Sequence, residues 1–208
     1  MTLKQFEQML LFVAQEMQAH TQELCQLDSY IGDGDHGMTI ERGFKAVEES
    51  IHEETFETPG DMLKTVGNAF MNAAGGAIGP ILGSFFRGGY KKLTDAKEMS
   101  TDEFEIMLTA GLRQVKMTGE AKEGDRTLVD ALSPACNAYT EAKAAGGDLK
   151  ACLLKAAEAA EAGAESTRNM VAHKGRAKFL GEQSLGYVDA GATSMSIILR
   201  AMSNYVNL

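Results

Sequence analysis

Apolar residues recur at intervals of three and four along almost the whole chain, and this one pattern confines it to a helical fold. Leu3, Phe6, Leu10, Val13 and Met17 form the first stripe; Ile40, Phe44 and Val47 form the second, which opens near His36–Gly37. Thr58 as N-cap with Pro59 in the first helical position starts a third, through Leu63, Val66 and Phe70. A fourth follows Pro80 through Phe85 to Tyr90. Ser100 and Glu103 form a capping box ahead of Phe104, Met107, Leu108 and Val115. The sixth starts around Thr127, with Leu128, Leu132 and Ala135; Asp148 caps an alanine-rich seventh that reaches roughly Val171. Met195, Ile198, Leu199, Met202 and Val206 mark the last. No strand pattern competes, and only three prolines in 208 residues leave room for long helices. Eight helices joined mostly by short links predict an all-α antiparallel barrel or bundle, with residues 1–208 as one domain.

Charge removes several classes of function. The formal net charge is -9, and no long basic block is present, which argues against a nucleic acid partner. The apolar stretch Met9 to Ala14 is too short and too soon interrupted for a signal peptide, and no run approaches a membrane span. Cys25, Cys136 and Cys152 are odd in number and form no CxxC pair, so free thiols in a reducing cytoplasm are expected.

The 22 glycines cluster, and the most informative cluster is Leu27-Asp28-Ser29-Tyr30-Ile31-Gly32-Asp33-Gly34-Asp35-His36-Gly37. Three carboxylates within eight residues repel one another unless a cation neutralises them. Oxygen ligands without a nearby cysteine select magnesium or calcium over zinc. The EF-hand spacing fails, since Gly37 falls fifth from Asp33 and Tyr30 third from Asp28. Magnesium keeps part of its shell for water and phosphate, so a small aspartate cluster points to a metal–nucleotide site. The same residues also suit a glycine-rich turn whose aspartates cap helices. His36, at a helix start, is placed for phosphate contact.

Gly75-Gly76-Ala77-Ile78-Gly79-Pro80 joins two helices, where free N–H groups can meet an anion or simply allow close packing. No GxxxxGK[ST] occurs and no strand precedes a glycine cluster, which excludes a P-loop and a Rossmann site. Gly119 to Thr127 is a polar link, and Asp189-Ala190-Gly191 is a cap-like turn before the last helix. His173 to Gly191 is long and irregular, yet it carries Phe179, Leu180, Leu185 and Val188, too apolar for a merely solvated loop. It starts with His173-Lys174-Gly175-Arg176-Ala177-Lys178, the one local concentration of positive charge, which suits a transferring phosphoryl group or a solvated basic loop.

Taken in order, these segments resemble the ADP-binding L subunit of dihydroxyacetone kinases. The matching pieces are Leu27-Asp28 with Gly32 to Gly37, Arg42-Gly43-Phe44, Gly75-Gly76-Ala77, Gly124-Asp125-Arg126-Thr127, Lys174-Gly175-Arg176 with Leu180-Gly181-Glu182, and Gly191-Ala192-Thr193-Ser194. They span nearly the whole chain. The resemblance implies an eight-helix barrel with ADP or ATP at its open end. It implies two magnesium ions held by Asp28, Asp33 and Asp35. Nucleotide contacts would fall on His36, Gly37, Met38, Thr39, Ala77, Ile78, Gly119, Leu128, Arg176, Asp189, Ala190 and Gly191, with Arg176 stabilising charge during transfer. It further implies a separate K subunit that binds the ketose, so that this chain alone would be inactive. Ile78 stands where the family commonly has serine, and Ala190 where it commonly has proline.

The ketose is left open between dihydroxyacetone, erythrulose and others. The phosphoryl donor is left open between ATP and a phosphotransferase-system protein that recharges resident ADP, and a homodimer is neither implied nor excluded. Two rival readings stand beside the kinase subunit. One is a fatty-acid-kinase-like nucleotide domain, which shares the aspartate motif but belongs to longer proteins. The other is a non-catalytic module that senses magnesium-nucleotide.

Overall fold

Five of the nine α-helices start where a polar side chain satisfies one of their first free N–H groups. In a computed structural model that describes all residues 1–208, α1 (Leu3–Ala19) opens on a capping box between Thr2 and Gln5. The expected caps are in place at Thr58 for α4 (Pro59–Ala73), Ser100 for α6 (Thr101–Gly119) and Asp148 for α8 (Leu149–Ser166). Asp189 caps α9 (Ala190–Tyr205) by accepting from Ala192 N at 2.8 Å. The remaining helices are α2 (Thr21–Ser29), α3 (His36–Glu53), α5 (Ile78–Arg87) and α7 (Val129–Ala144), and no strand forms.

Sequence periodicity missed one helix and misplaced several ends. α2 buries only Leu24 of its nine residues, so it has no apolar stripe to read. α5 begins at Ile78, with Pro80 in its first turn, where the missing N–H costs nothing; it ends at Arg87 and a short 3-10 turn carries Tyr90. α7 starts at Val129 rather than at Thr127, and α8 stops at Ser166. The long segment before α9 folds into a 3-10 turn over Arg176–Ser184 that is kinked at Gly181.

The eight helices of the expected barrel close into a ring. α1 packs on α3, each of α3 to α9 packs on the next, and α9 returns to α1. α2 is the extra piece, lying against α3 and α9 outside that cycle. Forty-four buried residues make one continuous core, in which Phe44, Phe70 and Phe86 stack edge to face at 5.1 and 6.1 Å. Truncating such a phenylalanine to alanine typically costs about 3–5 kcal/mol, so the ring is a rigid frame for its ends.

Alternation of direction decides what those ends carry. With neighbours antiparallel, the α2–α3, α4–α5, α6–α7 and α8–α9 links emerge together at one end, and these are the glycine-rich links. Gly37 fixes the approach of α3 to α2 at that end: a Cβ there would lie 2.0 Å from Thr21 O and 2.9 Å from Cys25 N. Both obstacles are backbone, so neither helix can yield locally. Gly37→Ala gains up to about 1 kcal/mol in helix propensity, but overpacking costs about 1–3 kcal/mol where side chains can move, and here they cannot. Thermal denaturation of Gly37→Ala is therefore expected to show a melting temperature lowered by several degrees. An unchanged or higher value would refute the tight α2–α3 contact.

Candidate functional site

The aspartate loop is folded around Asp28. Its carbonyl accepts from Ile31 N and Gly32 N at 3.2 and 2.6 Å, and its Oδ2 accepts from Gly34 N at 2.8 Å. This bend needs glycine twice: Gly34 has φ +76, and a Cβ on Gly32 would fall 2.2 Å from Asp28 Oδ1. As a result one carboxylate oxygen from each of Asp28, Asp33 and Asp35 lies within 4.8 Å of the others. Asp28 is half-buried, and Asp33 and Asp35 are exposed. An all-oxygen set this close fits a hard divalent cation such as magnesium. Arg176 donates to Asp33 at 2.6 Å, placing a guanidinium against the carboxylate cluster.

His36, the first residue of α3, is half-buried beside this cluster. Burial lowers its pKa, opposed by the nearby carboxylates of Asp28 and Asp35. Its Nε2 lies 2.8 Å from Ser194 Oγ, and Ser194 gives its single hydroxyl proton to Ala190 O at 3.0 Å. Nε2 must therefore be the donor, which leaves Nδ1 of the neutral ring as an acceptor.

A cleft of about 470 Å³ runs from the aspartates across the barrel end. Its apolar wall comes from Ile78, Ile81, Val115, Leu128 and Val129. Opposite the aspartates, Gly75, Gly76 and Ala77 lead into α5, whose N-cap Ala77 supplies no side-chain cap, so the first-turn N–H groups are available to an anion. Of the residues singled out in the sequence, Asp28, Asp33, Asp35, His36, Thr39, Ala77, Ile78, Gly119, Leu128, Arg176, Asp189, Ala190 and Gly191 all line this cleft. Two do not. Gly37 is buried in the α2–α3 contact, and Met38 points outward, 61% exposed.

Three further cations line the cleft: Arg42, Arg126 and Lys174. All lie in motifs noted in the sequence, but nothing there distinguished them from solvated charges. Arg42 donates to Ala73 O at 3.1 Å and so pins the glycine turn before α5 to α3. Asp189 is pushed up to about 6, first by burial, while its hydrogen bond from Ala192 N and the nearby Arg126 pull it back. Because the folded value lies above the ordinary carboxylate value, its ionisation weakens the fold as pH rises from about 4 through about 6.

An all-helical barrel whose acidic cluster and glycine-rich turns line one cleft is the class of protein these features define. The comparisons make it specific. The DAK2 domain matches residues 30–204, and the chain belongs to that family. It is 33% identical over 180 residues to the PEP-dependent dihydroxyacetone kinase, ADP-binding subunit DhaL, of Escherichia coli, covering 86% of each chain. It is 37% identical to the L-erythrulose kinase of Pectobacterium atrosepticum over 91% of this chain but 32% of that longer protein. The crystal structure of the C. freundii dihydroxyacetone kinase in complex with AMP-PNP and Mg2+ superposes with a TM-score of 0.75 at 26% identity. The match covers 95% of this chain and 33% of that one.

Proposed function

We propose that this chain, as one nucleotide-binding domain, is the ADP- or ATP-holding, phosphoryl-delivering subunit of a short-chain ketose kinase. It works with a separate K-type subunit that binds the ketose. The observation that carries this reading is the convergence of Asp28, Asp33 and Asp35 within 4.8 Å on the cleft that also holds Arg176 and the α5 N-terminus. That sets a candidate cation site, a candidate anion site and an exposed positive charge along one cleft.

Asp28, Asp33 and Asp35 would hold two magnesium ions, which supply charge neutralisation to the nucleotide phosphates. The α5 N-terminus at Ala77 and Ile78 supports a phosphate through backbone N–H groups, so Ile78 can serve without a side-chain hydroxyl. Ile81, Val115 and Leu128 would offer the base an apolar wall that excludes water. Arg176, paired with Asp33, would be free to meet the phosphates once that carboxylate held a cation. Phosphoryl transfer of this kind depends on positioning and electrostatics rather than on a protein nucleophile.

The acceptor must then come to the barrel mouth from outside. Phe179 on the strap beside Arg176 is 82% exposed, and Leu185 and Tyr187 are 41% and 40% exposed, an apolar rim suited to a docked partner. The relatives named as PEP- or PTS-dependent support recharging of resident ADP by a phosphotransferase-system protein. No helix is long and apolar enough to cross a membrane, and Cys25, Cys136 and Cys152 are unpaired.

Two experiments test the reading. Calorimetric titration of the purified chain with ADP should show binding that requires magnesium. Mixing the chain with a K-type subunit, dihydroxyacetone or erythrulose, and either ATP or a phosphotransferase-system donor should yield a phosphorylated ketose; the chain alone should yield none. Magnesium-dependent binding without product under any donor would instead identify a nucleotide-sensing module.

A further inference from the structure

Arg126 differs from every other cation in the cleft because it is 1% exposed. It lies on the polar link between α6 and α7 with φ +61, a left-handed conformation that a side chain with a Cβ adopts only under constraint. Its Nη2 donates to Tyr187 O at 2.8 Å. Its Nη1 lies 3.7 Å from Asp189 Oδ2, just outside hydrogen-bond range, and neither Nη1 nor Nε has a partner. Burying a charge so incompletely paired is costly, and an apolar side chain of similar length would fill the same space without that cost. The guanidinium must therefore be kept for what it holds.

What it holds is the end of the strap, where that segment meets the aspartate loop on one side and α9 on the other. Tyr187 stacks on Tyr30 with ring centroids 5.3 Å apart, which joins the strap carrying Arg176 to the loop carrying Asp28 and Asp33. Asp189 caps α9 and starts the Asp189-Ala190-Gly191 wall that faces Leu128. Arg126 thus ties the link before α7 to both of these points. The charged groups acting on Asp189 are Arg126, which favours its ionised form, and Asp130 at the start of α7, which opposes it.

We propose that Arg126 is a positioning residue for the bound nucleotide: by fixing the Tyr187 carbonyl and the Asp189 carboxylate, it sets the spacing between the aspartate loop and the strap that presents Arg176. The proposal rests on the nucleotide reading given above. It explains the unpartnered Nη1, since a shift of less than 1 Å brings Asp189 within bonding distance of it when the strap settles on the phosphates.

The test uses Arg126→Met and Arg126→Lys, measured for magnesium-ADP affinity by calorimetry and for the rate of tryptic cutting in the strap, where Lys174, Arg176 and Lys178 lie together. Arg126→Met is expected to weaken ADP binding by roughly tenfold or more, the scale of a lost charged hydrogen bond, and to speed strap cutting. Arg126→Lys should recover most of both, because a cation still reaches Asp189; a merely space-filling role would not be rescued by charge. Should Arg126→Met fail to fold, Arg126→Gln carries the test, since an amide can still donate to the Tyr187 carbonyl while the charge pair with Asp189 is lost. It should show the same weakening and the same faster cutting. Variants that bind ADP and resist trypsin like the wild type would overturn the positioning role and leave the nucleotide reading intact. A wild type that binds no magnesium-ADP would remove that reading and this one with it.

Discussion

Replacing Asp33 with alanine is expected to abolish magnesium-dependent ADP binding while leaving the fold intact. Asp33 is exposed and its only ion-pair partner is Arg176, itself 71% exposed at its side chain, so its loss takes nothing from the core. Exposed pairs of this kind contribute about 1 kcal/mol or less, and relief of repulsion from Asp28 and Asp35 works in the opposite direction. The melting temperature should therefore shift by no more than a few degrees. Binding should respond very differently. Even outer-shell partners of a metal site typically matter about 10- to 100-fold, and Asp33 is one of only three candidate ligands. Its removal should lower ADP affinity by at least that range, with no recovery at raised magnesium. Calorimetry on the folded variant measures this directly. Binding equal to the wild type's would mean that the three carboxylates hold no cation for a nucleotide, and the proposed kinase role would fall.

Arg176→Met is expected to separate binding from transfer. Arg176 lies on the strap at the mouth of the cleft, and its guanidinium is close enough to Asp33 to reach whatever the aspartates hold. If its role is to stabilise charge on the moving phosphoryl group, its loss acts mainly on the transition state. Removing a single such donor typically costs roughly 10²- to 10³-fold in rate, and arginines at phosphoryl-transfer sites reach about 10³-fold or more. The reconstituted system should therefore lose about that factor in turnover, while magnesium-ADP affinity changes less than about tenfold. Equal losses in affinity and turnover would make Arg176 a binding residue only. No loss in turnover would remove it from the chemistry.

The chain's local features were largely legible. Helix caps at Thr58, Ser100 and Asp148 stand where short-range hydrogen bonding requires them, because capping depends only on neighbours three residues away. The aspartate loop was legible for the same reason: eight residues with glycines at 32 and 34 can bring three carboxylates together without help from the rest of the molecule. α2 escaped notice because it buries little of its own surface and is held by α3 and α9. That Gly37 also sets the packing of α3 on α2 is revealed only by the position of Thr21 O.

Sequence by itself determined the helical class, the side-chain-capped helix starts at Thr58, Ser100 and Asp148, and the clustering of three carboxylates in the acidic loop, since each follows from periodicity or from contacts within a few residues. Tertiary structure alone decided that four separate links meet at one end of the ring, that Arg176 faces Asp33, and that Arg126 is buried between Tyr187 and Asp189. Those residues lie from 61 to 143 positions apart along the chain. No local rule reaches that far, and only the closing of the ring, driven by its shared apolar core, brings them within bonding distance.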